Sequence, residues 1–450
     1  MKSAAQARRT AAPRNDLSAL WLPFTANRAF RRTPRMLARA EGMHFYDESG
    51  RALLDTCSGL WCVNAGHGRA QITDAIRAAA GTLDYAPTFQ FGHPAAFEIA
   101  GRIADLAPPG LDHVFFVNSG SEAVDAALKI ARGYFHKIGQ GSRFRLIGRE
   151  RGYHGATLAG ISVGGIGNNR RHFGPLLAGT DDHLPLPYDR ARMAFTRGEP
   201  ESGGVDFADA LTRAIAIHGA ETIAAVIVEP MAGSAGVFAA PFGYLKRLRA
   251  ICDAHGILLI FDEVITAFGR LGHAFASERY GVTPDMIVFA KGVTNGAVPM
   301  GGVIVSGKIH DAFMQGPENT IELFHGHTYS AHPLACAAAL ACLDVYRDES
   351  LFERARVLES AFENAVHSLR AAPHVVDIRN VGLAAGIDIA PDLSSPGRKG
   401  YEVLTRAFAE QNLVLRVSGD TIALAPALII SESEIARMIE GIRAVLGRLD

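Results

Sequence analysis

Cysteine is scarce in this chain: 450 residues contain five, Cys57, Cys62, Cys252, Cys336 and Cys342, and no two form a C-x-x-C pair. An odd, scattered set excludes a disulfide framework and fits reduced thiols in a cytoplasmic protein. An excess of either charge is also missing. The 45 Lys and Arg against 46 Asp and Glu leave a net charge of -1, far from the positive field needed to neutralise nucleic-acid phosphates. No apolar run reaches the length of a bilayer span, because the longest weakly polar stretch, residues 328–343, is interrupted by His332 and Pro333. Internal repeats and low-complexity tracts are absent. Residues 1–15 carry Lys2, Arg8, Arg9 and Arg14 and no acid, without the apolar segment of a secretory signal, so 1–16 reads as a disordered tail.

What is present is the composition of a soluble enzyme, with 48% hydrophobic and 20% charged residues and 47 glycines placed in short clusters between apolar runs. A chain of 450 residues exceeds what one core usually serves, so two domains or one enlarged α/β domain is expected. From about Ala70, helical patterns alternate with apolar runs at 113–117, 223–228, 257–261, 286–289 and 303–305, the signature of a largely parallel sheet between helices. Helices are expected at 121–137, with Val124, Leu128, Ala131 and Phe135 on one stripe, and at 244–254. After Pro333 the texture becomes α+β. Helices are expected near 334–347 and 350–370, strands near 375–379, 383–389, 413–417 and 421–425, and a closing helix from Ser431. The stretch 190–206 has the composition of an exposed excursion. The implied division is a segment 17–69 belonging to the smaller domain and the pocket, a large domain 70–330 and a small domain 331–450.

Ligands of parallel α/β sheets bind at the carboxyl ends of the strands. Four such ends carry chemistry. His113 to Val117 runs into Asn118-Ser-Gly-Ser-Glu122 and a helix, whose free N–H groups suit a phosphate, although Ser119 with Glu122 also reads as an ordinary capping box. Residues 223–228 end at Glu229, residues 257–261 at Asp262, and residues 286–290 at Lys291. Taken alone, a lysine after a strand is usually a solvated surface residue. A phosphate cradle, a carboxylate and an amine along one sheet edge are together what pyridoxal phosphate requires.

Longer stretches agree. Asp262-Glu-Val-Ile-Thr-Ala-Phe-Gly-Arg-Leu-Gly272, Lys291-Gly-Val-Thr-Asn295 and His325-Gly-His-Thr-Tyr-Ser-Ala-His-Pro333 resemble the motif blocks of class III pyridoxal-phosphate aminotransferases, over residues 17–450. Trp21-Leu-Pro-Phe-Thr-Ala-Asn-Arg28, Pro34-Arg-Met36 and Ser58-Gly-Leu-Trp-Cys-Val-Asn-Ala-Gly-His67 are similar to the ω-amino acid:pyruvate (β-alanine–pyruvate) branch. The resemblance implies a fold type I transferase, an α/β fold with a large mostly parallel sheet domain and a smaller α+β domain, working as a homodimer or tetramer. It implies that Lys291 binds pyridoxal 5'-phosphate covalently, that Asp262 pairs with its ring nitrogen, and that Gly120, Ser121 and, from the other subunit, Thr328 hold its phosphate. By the same resemblance Tyr153 stacks on the ring beside His154, Glu229 and Val264, Arg416 receives the acceptor's carboxylate, and Trp61, Phe24 and Phe89 wall the substrate pocket. Without the resemblance these aromatics read as core. The implied reaction is transamination of an ω-amino acid or primary amine with pyruvate. Donors such as 4-aminobutyrate, taurine or a diamine are the alternative within the class, and a racemase, aminomutase or decarboxylase could share the cofactor residues. Two positions depart from the family pattern, Ala267 where most members have glycine and Ala423 where close members have glutamine.

Three rival readings are weaker. Gly160-Ile-Ser-Val-Gly164 matches the G-x-S-x-G of serine hydrolases, with Ser162 as nucleophile, but Gly165-Ile-Gly-Asn-Asn169 follows where a helix is needed. Gly302 with Gly307-Lys308 has Walker spacing, yet Ile309 stands where a magnesium-binding hydroxyl belongs. His325, His327 and His332 match no zinc spacing, and no metal is expected.

Overall fold

The computed structural model describes residues 17–201 and 203–449, so the expected tail over 1–16 lies outside the described residues. A seven-stranded sheet forms the centre. Its strands are β1 (Leu111–Val117), β2 (Arg145–Arg149), β3 (His183–Leu184), β4 (Ile223–Val228), β5 (Leu258–Asp262), β6 (Met286–Phe289) and β7 (Gly301–Ser306), in the order β1-β7-β6-β5-β4-β2-β3. Neighbours pair in parallel except β7, which runs antiparallel to both β6 and β1. Every residue of β4, β5 and β6 is buried, as continuous apolar strands covered on both faces must be. The expected strands are all present. The sequence reading missed β2 and β3, one short and bounded by two arginines, the other only two residues long.

Helix α1 (Gly120–Lys137) leaves β1 through a two-residue turn and buries Val124, Leu128, Ala131 and Phe135 against the sheet. Ser119 caps it by accepting from the Glu122 amide at 3.2 Å, while the Glu122 carboxylate accepts from the Asn118 amide at 2.7 Å, so the return arm of the capping box reaches one residue further back than expected. Helix α2 (Tyr244–His255) stops at Gly256 in the left-handed region. After α3 (Pro333–Asp348) and α4 (Leu351–His367), an antiparallel sheet is built from β8 (Val375–Val381), β9 (Ala384–Ile389), β10 (Arg416–Ser418) and β11 (Thr421–Leu424), in the order β8-β9-β11-β10. The closing helix spans Glu432–Leu446 behind a capping box of Ser431 and Glu434.

One expected strand, 413–417, divides in two. Leu413–Val414 pairs in parallel with Ala52–Asp55 of an N-terminal sheet, in the register Leu413 to Leu54, and only from Arg416 does the chain join β11. The break at Leu415 hands the backbone from one sheet to the other, a change that hydropathy along one strand does not encode. The excursion at 190–206 holds two short helical turns, Arg190–Met193 and one beginning at Gly204. Its amino side is tied down by Tyr188, whose hydroxyl donates to Asp377 at 2.5 Å. No helix among the described residues is long and apolar enough to cross a membrane.

Candidate active site

The carboxyl ends of β4, β5 and β6 and the first turn of α1 surround a cleft of about 310 Å³. Antiparallel β7 begins at the same end, so the segment from Lys291 to Met300 connects β6 to β7 across the cleft mouth. Gly120, Ser121, Tyr153, His154, Glu229, Asp262, Val264 and Lys291 all line this cleft, and the structure therefore brings together eight of the residues singled out from sequence.

Lys291 opens a short 3-10 turn with φ of 37°, a left-handed conformation that aims a non-glycine side chain out of the strand line. Burial pushes its amine below the ordinary lysine range, opposed by the carboxylates of Asp262 and Glu229 and reinforced by Arg416. Asp262, the last residue of β5, is buried; one carboxylate oxygen accepts from the Val264 amide at 3.1 Å and the other lies 2.8 Å from Nδ1 of buried His154. The far ring nitrogen of His154 has no hydrogen-bond partner among the described residues, so its one firm link there is Asp262.

At the N-terminus of α1, the Ser121 hydroxyl accepts from the Ala156 amide at 3.0 Å. Gly155 packs on this serine with φ of +102°, and a Cβ there would stand 2.6 Å from the Ser121 oxygen. The close approach explains the glycine and leaves the free N–H groups of the helix start open to the cleft. Glu229 is buried and burial raises its carboxyl above the usual range; its two oxygens accept from the amides of Tyr153 at 3.0 Å and Gly233 at 3.2 Å. Burial also pushes the Tyr153 phenol up. Sequence reading missed Arg149, wholly buried at the end of β2, whose charge favours the ionised form of Glu229. The only signal was its place at the end of a strand that was itself overlooked.

Other expected residues lie around this centre. Trp61 is buried and packs with Cys57, Ile265 and Ala423, beside the cleft through Ile265. Its loop holds Ser58, Gly59 and Trp61 at positive φ, fixed by Asp55, which accepts from the amides of Cys57 at 3.0 Å and Gly59 at 2.6 Å. Beneath it Arg270, fully buried, donates to Ser58 at 2.8 Å, Asn64 at 2.9 Å and the Leu383 and Pro426 carbonyls, and burial pulls its guanidinium down to about 10. Arg416 on β10 sits opposite Ala423 of β11 and has neither an ion pair nor a side-chain hydrogen bond among the described residues. Ala267 is buried with an ordinary φ and an amide bonded to the Glu263 carbonyl at 2.9 Å, so its methyl is accommodated without strain.

Phe24, Phe89 and Thr328 are not brought to the cleft within one chain. Phe24 is 85% and Phe89 58% exposed, and exposed Thr328 presents its carbonyl to the Tyr85 hydroxyl at 3.0 Å. The rival motifs dissolve in the structure. Ser162 lies inside the helix Leu158–Val163, buried, bonded to the Leu158 carbonyl at 2.7 Å and accepting from the Leu176 amide at 2.9 Å, which leaves no nucleophile. Gly302 is within β7 rather than a phosphate loop. His332 caps α3, and the rings of His325 and His327 meet edge to face at 5.1 Å, with no third ligand among the described residues. One other group of metal-ligand side chains converges among the described residues, His113, His310 and Asp311, whose two imidazoles stack in parallel at 3.6 Å.

The family model described as aminotransferase class-III matches residues 25–446. The chain belongs to the class III aminotransferases. It is 57% identical over 436 residues to an omega-aminotransferase of Caulobacter vibrioides, covering 97% of this chain and 99% of that one. It is 49% identical over 433 residues to a beta-alanine–pyruvate aminotransferase of Pseudomonas aeruginosa, covering 96% of each. An amine transaminase from an uncultivated Pseudomonas species, solved in its PLP-bound form, superposes with a TM-score of 0.86 at 35% identity, covering 95% of this chain and 98% of that one. The fold is thus the type I fold of pyridoxal-phosphate enzymes, and this aminotransferase uses pyridoxal 5'-phosphate. The cleft fits that group: a cradle with a mandatory glycine at 155, a carboxylate braced by a histidine, and a buried amine held toward its uncharged form.

Proposed function

We propose that this aminotransferase moves the amino group of an ω-amino acid or primary amine of the β-alanine type onto pyruvate, giving alanine in a ping-pong cycle, with Lys291 and Asp262 as catalytic residues. The observation that carries the reading is Arg416. A guanidinium without a counter-ion among the described residues, close enough to Lys291 to weigh on its amine, is a waiting receptor for a keto-acid carboxylate. The names of the two relatives support the same substrates.

In this reading Gly120 and Ser121 would hold the phosphate at the start of α1, Tyr153 would stack on the ring with His154, Glu229 and Val264 near it, and Asp262 would keep the ring nitrogen protonated. When bound, pyridoxal 5'-phosphate supplies a conjugated cationic ring that accepts the electron pair left when a proton departs. Lys291 provides the base. Its Nζ, held toward the uncharged form by burial, would take the proton from the donor carbon bearing the amine and deliver it to the former aldehyde carbon of the bound group. Arg416 orients pyruvate by a planar two-point contact in the second half of the cycle. Trp61 bounds the pocket from within the chain.

We further propose that Phe24, Phe89 and Thr328 complete the site of a second copy. Phe89, Phe91, Phe97, Phe324 and Tyr329 are all more than half exposed, a large apolar area for water to cover and one that an isologous homodimer would bury. The chain divides at about 70–330 and 331–450, with 17–69 joined to the latter by the Leu54–Leu413 pairing. Five unpaired, mostly buried thiols support a cytoplasmic setting.

The test is a visible spectrum of cofactor-loaded protein during addition of β-alanine and then pyruvate, with an assay for alanine. The band falls with β-alanine, returns with pyruvate, and alanine accumulates. A band that moves only with 4-aminobutyrate, taurine or a diamine would reassign the donor, and no band at all would remove Lys291 from its role.

A further inference from the structure

The hairpin Met231–Ala232 with Phe238–Ala239 is bound at its turn far more heavily than a surface hairpin requires. Three successive carbonyls are taken by side chains from three different segments. The Ser418 hydroxyl donates to Ser234 at 3.1 Å, Arg151 donates to Ala235, and Arg379 donates twice to Gly236, at 2.8 and 3.1 Å. Both guanidiniums also stack on Phe238, with Arg379 at 4.1 Å and Arg151 at 4.8 Å from the ring centre. Gly236 has φ of +125°, and its carbonyl stands 2.2 Å from where a Cβ on Gly386 would lie, so the turn is pressed directly onto β9.

Each end of this hairpin leads to a group of the proposed site. On one side Glu229 receives the Gly233 amide with one oxygen and the Tyr153 amide with the other. On the other side Ser418 lies two residues from Arg416 on β10, and residues two apart on a strand face the same way. Arg379 is itself clamped: both of its terminal nitrogens meet Asp388 at 2.8 Å, and Asp388 accepts from Thr421 of β11, the strand that carries Ala423 opposite Arg416. The turn therefore spans the gap between the face that bears Arg416 and the Glu229–Tyr153 pair.

We infer that Ser418 and Arg379 are positioning residues for the keto acid: they fix the Ser234–Gly236 turn against β10 and thereby set the distance of Arg416 from the cleft. This inference rests on the reading of Arg416 as the carboxylate receptor. It predicts an effect confined to acceptors that carry a carboxylate next to the carbonyl, because an acceptor without one does not use Arg416.

The experiment compares pyruvate with a carboxylate-free aldehyde as acceptor, using a carboxylate-free primary amine as donor, in the cofactor-loaded full chain. Ser418 is exposed, so Ser418→Ala leaves the fold intact; it should raise the KM for pyruvate by about 3- to 10-fold with kcat within about twofold, the range of one net hydrogen bond, and leave the aldehyde unaffected. Arg379→Lys, retaining charge but losing the two-point clamp, should do the same more strongly. Arg416→Ala is the control for the underlying reading. If it weakens both acceptors equally, that reading fails and takes this inference with it. If Arg416→Ala is pyruvate-selective while Ser418→Ala and Arg379→Lys are neutral or slow both acceptors alike, the inference alone is overturned.

Discussion

Nδ1 of His154 lies 2.8 Å from a carboxylate oxygen of Asp262, with both side chains sealed from water. A buried carboxylate needs partners for its oxygens, here one imidazole and one backbone amide. Asp262→Asn should therefore preserve shape but lose the charge that holds the ring nitrogen protonated. Turnover should fall about 10²- to 10⁴-fold, as for loss of a positioned proton-transfer partner. Steady-state rates with thermal unfolding as a control would check this, and a loss under tenfold would refute the role.

Lys291→Ala should abolish the visible absorbance of bound cofactor and turnover together. Far-UV circular dichroism should remain unchanged, since one side chain is removed from a cleft wall. Retained turnover would assign the chemistry to another amine.

The amine of Lys291 also makes a prediction about pH. Its pKa is depressed in the folded chain relative to the unfolded one, so at intermediate pH the unfolded state binds the extra proton. The folded apoprotein is then penalised below the ordinary lysine range, and its stability rises with pH up to that range. Lys291→Met should stabilise the apoprotein at neutral pH and flatten that slope, read from urea midpoints across pH. An unchanged slope would mean the amine is not desolvated.

Gly155→Ala tests the cradle. Its φ of +102° and the 2.6 Å approach to Ser121 leave no room for a methyl, so the serine must move. Affinity for pyridoxal 5'-phosphate should drop about tenfold or more, the worth of roughly 1–3 kcal/mol of local strain. Equilibrium titration of apoprotein with cofactor measures it.

Arg270→Leu should lower stability by about 3–5 kcal/mol, because four buried acceptors lose their donor at once. Those acceptors belong to the Trp61 loop and to the segments around Leu383 and Pro426, so thermal unfolding should shift before any change at Lys291 is seen.

Much of this was legible in the residues. The strand ends at Glu229, Asp262 and Lys291 stood out because a polar group after a buried apolar run is uncommon, and the α1 turn was readable from Ser119 and Glu122. What was not legible has a physical cause. Arg149 was hidden because its strand is short and polar at both ends, so neither alternation nor an apolar run marked it. The split at Leu415 depends on two sheets competing for one segment, a tertiary choice. Phe24, Phe89 and Thr328 could be named through resemblance, yet a single chain leaves them in solvent.

The parallel pairing of Leu54 with Leu413 has a bearing on how the protein is made. Thr56, next to the Trp61 loop, donates to the Val414 carbonyl, and Leu54 to that of Asn412, across more than three hundred residues of chain. Contacts so distant in sequence close late, after the intervening chain has folded. On the ribosome, the sheet that bears Asp262 and Lys291 is synthesised well before residue 413 emerges, whereas the Trp61 loop must wait for it. The nascent chain can thus complete the sheet that carries Asp262 and Lys291 while the Trp61 loop is still unformed.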